Sequence, residues 1–168
     1  RVSRIVVDNP RGNTRITGRD EDGVKVGGRK SIRAYSQQAA DEASRRTAIR
    51  ISTEGDQMVI RASQQTGPAA DLRISTDLEI TVPKGVSVQA TGRQGDVDIL
   101  GLNGHVEVTS NNAAVRLQDL GGNARVDLRR SSLVRAVNVR GDVEILGRGQ
   151  DLELENVGGQ VTVNGAYM

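Results

Sequence analysis

The chain has 168 residues, among them 20 Gly, two Tyr and no Phe, Trp or Cys. The missing Cys excludes disulfides, thiolate metal sites and Cys nucleophiles, and the missing large rings exclude the aromatic bulk of an ordinary core. Net charge is +2 with 26% charged residues, and no run of five Lys or Arg occurs, so neither a concentrated basic face nor a stacking platform for nucleic acid is expected.

Residues 1–64 read as short strands and a helix. Val2 to Val7, Thr14 to Thr17 and Val24 to Val26 are strand candidates, split by Asn9-Pro10, Gly18 and Asp22-Gly23. Ile32, Tyr35, Ala39 and Ala43 form an apolar stripe that predicts a helix over 32–46, supported by the i,i+4 pairs Asp41 with Arg45 and Glu42 with Arg46. Ala48 to Ser52 and Met58 to Ala62 then suggest a hairpin around Glu54-Gly55-Asp56. Gln64 to Ala70 reads as a loop.

From residue 71 to 168 the chain repeats. Gly104, Gly122, Gly141 and Gly159 recur at intervals of 18, 19 and 18. Apolar pairs keep the same rhythm: Val97 and Ile99, Val115 and Leu117, Val134 and Ala136, Leu152 and Leu154. So do Val106 and Val108, Ala124 and Val126, Val143 and Ile145, Val161 and Val163, with a corner column of Leu102, Leu120, Val139 and Val157. Every column shows one extra residue between Val126 and Val134.

Apolar residues two apart with a polar one between them make a half-buried strand. Such a unit cannot bury its apolar face alone, but stacked units can. The expected fold is therefore all-β: a right-handed parallel β-solenoid of 18–19 residues per coil over 71–168. The N-terminal strands and the 32–46 helix form a region that caps one end, and Gly at the corners admits positive φ and close backbone approach. Leu78 and Ile80, 19 residues before Val97 and Ile99, belong to the first coil on this reading.

Outward residues agree with the stacking. The shift sets Asp98 on Arg116, Glu107 on Arg125, Arg125 on Glu144 and Arg135 on Glu153, with Arg116 over Arg135 the one like-charged pair. Cross-strand ion pairs of this kind help to hold register. Val161 and Val163 close the last full unit before Gly165-Ala-Tyr-Met168, and an open edge there invites self-association.

Candidate chemistry is sparse. His105 is the only His and follows corner Gly104, so it points outward with no second ligand beside it. Outward acids alternate with Arg, and the Gly-Gly-x-Gly-x-Asp pattern of calcium-binding repeats is absent. Ser131-Ser132 lacks a partnering base. Gly121-Gly122 and Gly158-Gly159 lack the Lys-Ser/Thr of a phosphate loop. No catalytic, cofactor or metal residue is assigned, and a polysaccharide-active solenoid enzyme is the weakest alternative.

Arg11-Gly-Asn-Thr-Arg-Ile-Thr-Gly18, Ile80-Thr-Val-Pro-Lys-Gly85 and the Gly-x-Val-x-Val units ending at Gly159-Gln-Val-Thr-Val-Asn-Gly165 resemble the bacterial putative-adhesin family of β-strand-repeat proteins. The resemblance spans nearly the whole chain. It implies a single-chain solenoid that is exported or displayed outside the cytoplasmic membrane. It supplies no catalytic or ligand residue. No apolar run nears the ~18 residues of a membrane helix, and a start at Arg1 fits a trimmed leader. The expected function is a non-catalytic, extracytoplasmic adhesion or scaffold module with a protein or glycan partner. The alternative is a scaffold that assembles end to end, as bactofilins do.

Overall fold

The computed structural model describes residues 2–20, 23–33, 49–62, 73–111 and 113–164. It is all-β there. Thirteen strands follow in chain order: β1 (Arg4–Arg11), β2 (Thr14–Arg19), β3 (Lys25–Arg33), β4 (Ile49–Glu54), β5 (Gln57–Ala62), β6 (Arg73–Pro83), β7 (Ser87–Gln94), β8 (Val97–Leu100), β9 (Val106–Ser110), β10 (Val115–Leu120), β11 (Ala124–Val139), β12 (Val143–Val157) and β13 (Val161–Asn164).

The strands form two mostly parallel ladders. One runs β4-β5-β1-β7-β9-β11-β12-β13, the other β3-β6-β2-β8-β10-β11-β12. The long strands β11 and β12 pass through both ladders and join them into one sheet. Register follows the sequence rhythm: Val88 lies on Val106, Val106 on Ala124, Ala124 on Val143 and Val143 on Val161. The extra residue falls between Leu128 and Ser131, where the β11–β12 register shifts.

The core lies between the ladders. Inward residues such as Ile5, Ile16, Ile99, Val106, Leu117, Val126, Val134 and Ile145 are at most 1% exposed. Burying each Val, Leu or Ile contributes roughly 1.5–3 kcal/mol. Because each layer presents the same narrow slot, Val, Ile, Leu and Ala fill it and rings are not needed.

The structure departs from the sequence reading in three ways. First, β1 and β2 are not part of an end cap. β2 lies between β6 and β8, so Thr14 separates Leu78 from Val97 and Ile16 separates Ile80 from Ile99. β1 likewise lies between β5 and β7. Strand pairing thus crosses the expected division at residues 64–71, and the stack does not start at 71. A 19-residue interval fits direct stacking of Leu78 on Val97, but a layer from elsewhere satisfies the same apolar pattern.

Second, the predicted 32–46 helix begins too early, because Ile32 and Arg33 pair antiparallel with Ile74 and Arg73 at the end of β3. The rest of that span lies outside the described residues, as does the 64–70 loop. Antiparallel β3 and the β4–β5 hairpin edge this end of the stack. Reversal of strand direction changes the hydrogen-bond pattern presented by a parallel edge.

Third, the recurring Gly column owes its identity to close approach, not to positive φ. A Cβ on Gly122 would sit 2.6 Å from the Gly104 carbonyl oxygen and 2.9 Å from that of Asn103. Left-handed residues occur three positions earlier, at Gly101 (φ 72°), Asp119 (56°), Asn138 (57°) and Asn156 (53°).

Candidate binding groove

Those left-handed positions build the most organised polar feature among the described residues. Each precedes the corner column, whose Leu102, Leu120 and Val139 are buried. Packing the apolar corner inward forces the preceding backbone into the left-handed region. Asn and Asp tolerate that region better than other side-chain-bearing residues. Their side chains then stack. Asn138 Nδ2 donates to Asp119 Oδ1 at 3.1 Å, and Asn156 Nδ2 donates to Asn138 Oδ1 at 3.0 Å.

The residue after the corner column returns to the surface. Gly121 N–H donates to Leu102 O at 2.7 Å, Arg140 N–H to Leu120 O at 2.8 Å and Gly158 N–H to Val139 O at 2.7 Å, which knits successive layers together. Between the two rows runs an open groove of about 580 Å³, lined by the Asp119–Asn138–Asn156 ladder on one side and by Asn103, Gly121, Arg140 and Gly158 on the other. Along its length, one carboxylate and two amides follow one another at the ~4.8 Å spacing of strands in a sheet. Gly121 and Gly158 keep one wall low, so backbone is accessible beside the amide row.

The groove holds one carboxylate, Asp119. General acid–base cleavage of a glycosidic bond uses two. The lining offers hydrogen-bond donors and acceptors plus one guanidinium, which suits recognition of a polar, extended ligand.

His105 and the charged residues read as outward from the sequence lie on the surface but do not converge. His105 is exposed just before β9, with Nε2 3.3 Å from Glu107 Oε1. Arg116 reaches Asp98 at 3.3 Å and Asp96 at 3.4 Å, and Arg135 reaches Glu153 at 3.6 Å. The hydrogen bond to Asp98 raises the Arg116 pKa above its ordinary value. Glu107, Arg125 and Glu144 are adjacent in register without closing an ion pair. Arg116 and Arg135 are paired neighbours, and Arg116 turns to the acids on its other side. Among the described residues, no group of three His, Asp or Glu is placed to hold a metal ion, and no helix is long and apolar enough to cross a membrane.

The ladder was the one site feature the sequence reading missed. Gly101, Asp119, Asn138 and Asn156 keep the 18- and 19-residue rhythm directly before the corner column, so the signal was present in the spacing.

Comparison with solved structures places the architecture. The crystal structure of a "putative cell adhesion protein" from Clostridium sporogenes superposes with a TM-score of 0.53, at 9% identity, covering 98% of this chain and 93% of that one. The two share a fold. A "putative adhesin" from Bacteroides fragilis also aligns, over 98% of this chain and 92% of its own, at 12% identity and a TM-score of 0.32. No family model matches the sequence, and no curated protein does. The Clostridium sporogenes neighbour is named for cell adhesion, in line with the adhesin-like resemblance, at a sequence identity where only the fold is comparable.

Proposed function

We propose that this chain is a β-solenoid adhesion module that works outside the cytoplasm, without catalysis, and binds an extended polar ligand, a glycan chain, along its corner groove. The single observation behind this reading is the Asp119–Asn138–Asn156 ladder beside Arg140, a row of polar groups repeated along the stacking axis. A linear polymer of polar units laid along that axis meets a polar side chain of the ladder at each step. Likeness in fold to a protein named for cell adhesion supports the class. The 18–19-residue register of both ladders supports a right-handed solenoid.

A glycan array probed with the wild-type chain and with Arg140→Ala tests it. Binding that weakens about tenfold in the variant supports the groove. Equal binding by both places the ligand elsewhere, and no binding to any glycan ends the glycan reading.

End-to-end self-assembly is a second reading, favoured by Val161 and Val163, which are 40% and 37% exposed on β13. Light scattering across concentration tests it, and a constant monomer mass rejects it.

A further inference from the structure

β1 and β2 enter the stack out of sequence order. Ile5 pairs with Met58 on one side and Val88 on the other, and Ile16 pairs with Ile80 and Ile99. A second row of side chains, directly before Leu78 in β6 and directly before β2 and β8, repeats the order. Asp77 Oδ1 accepts the Asn13 N–H at 2.9 Å, Asn13 Oδ1 accepts the Asp96 N–H at 2.9 Å, and Asp96 Oδ1 accepts the Ala114 N–H at 3.1 Å. Residues 4–19 are thus one complete layer filling a slot whose two walls, β5 with β6 and β7 with β8, both come later in the chain. Residues 84–86 cross past the filled layer, with Lys84 N–H on Arg19 O at 3.2 Å and Ser87 N–H on Ser3 O at 2.9 Å.

The slot has no layer of its own until this segment docks. Ile5, Val7 and Ile16 in the segment are fully buried once it does. Residues 20–24 link the segment to the strands that follow it. A segment from another copy meets the same residues in the same register, so the contacts do not distinguish the two sources. Only the high local concentration of the tethered segment favours its own chain, and that advantage falls as protein concentration rises.

We infer that residues 4–19 are an exchangeable layer, through which two copies of this chain join by filling each other's slot. The interaction needs no surface beyond the one already built, and it leaves the corner groove at 103–158 untouched.

Engineered cysteines in the full chain test this, since the native sequence has none. Val6 and Gln89 are paired in register, as are Asp8 and Thr91. Paired strands ~4.8 Å apart fall within disulfide reach. Val6→Cys and Gln89→Cys chains are mixed, unfolded, refolded together over a concentration series and oxidised. Exchange predicts a disulfide-linked heterodimer that rises with concentration and exceeds the homodimers each variant forms alone. The double variant Val6→Cys/Gln89→Cys, refolded dilute, is expected to close within one chain. Internal closure with no heterodimer at any concentration overturns the proposal. Should the Val6–Gln89 pair not close, Asp8→Cys with Thr91→Cys decides in the same way, and failure of both pairs to close within or between chains removes the slot itself.

Discussion

Asn9 donates its side-chain amide to the carbonyl oxygen of Thr76 at 2.8 Å, joining two residues 67 positions apart inside the core. The same Nδ2 also faces Thr14 Oγ1 at 3.1 Å and the carbonyls of Gly12 and Asn13 at 3.3 Å, while Oδ1 has no partner. Asn9 is fully buried, so this one amide ties the β1–β2 turn to the layer beside it.

Asn9→Ala leaves the Thr76 carbonyl without that donor and is expected to cost about 1–3 kcal/mol in urea unfolding. Asn9→Asp is expected to cost more at neutral pH, because a carboxylate would face four oxygen atoms. Burial and those oxygens raise the folded pKa of that Asp above its unfolded value. Its charged form is the penalised one, so stability of the variant recovers as pH falls through the raised pKa. A stability-versus-pH series on both variants checks the sign. An Asn9→Asp protein that is most stable at high pH contradicts it.

Asn138 combines a left-handed backbone with a place in the ladder. Asn138→Ala keeps neither and is expected to lose about 1–2 kcal/mol. Asn138→Gly keeps the backbone freedom and loses only the side-chain bonds, so its loss is expected to be smaller. Equal losses for the two variants would show that backbone conformation is not a factor.

Close packing of layers predicts a sharp contrast between glycines. Gly122→Ala sets a Cβ against the carbonyl oxygens of Gly104 and Asn103 and is expected to destabilise by more than about 2 kcal/mol. Gly85→Ala meets open space within 4 Å and is expected to change stability by less than about 0.5 kcal/mol. Thermal midpoints of the two variants decide the matter.

Arg116 bridges Asp96 and Asp98 at the surface. Exposed pairs contribute about 0–1 kcal/mol and are screened by salt. Arg116→Ala is expected to lose under about 1 kcal/mol at low salt, and less in 1 M NaCl. A larger, salt-independent loss would assign Arg116 a packing role instead.

Asp56 accepts a hydrogen bond from the Ser3 hydroxyl, which lowers its pKa below the usual carboxylate value. A lowered folded pKa contributes stability above the unfolded value near pH ~4, lost as pH falls through the folded one. Ser3→Ala is expected to move the Asp56 titration, followed by carboxyl NMR, back upward. No movement would show that the hydroxyl is not the cause.

Much of the C-terminal architecture was legible because its signal is local. Inward pairs such as Val106 and Val108, alternating with outward polar residues, declare a strand whichever neighbour covers it. The shared 18–19-residue interval then names that neighbour, and Val106 does lie on Ala124 and Ala124 on Val143. Asp98 with Arg116 and Arg135 with Glu153 met as that register required. The groove was half legible: the corner column was seen, but the Asn and Asp before it disclose their backbone only through φ.

What the sequence alone determined, then, is the repeat: which residues face inward, how long each layer is and where the extra residue falls. These follow from the period-2 burial of a strand and from the identical slot each layer presents. Only the tertiary structure decided the order of the layers. Ile16 satisfies the slot between Ile80 and Ile99 as well as either neighbour would satisfy the other, because hydrophobic burial is non-directional and blind to chain position. The hydrogen bonds from Asn13 to its neighbours at 77 and 96 record a choice that no interval along the chain encodes.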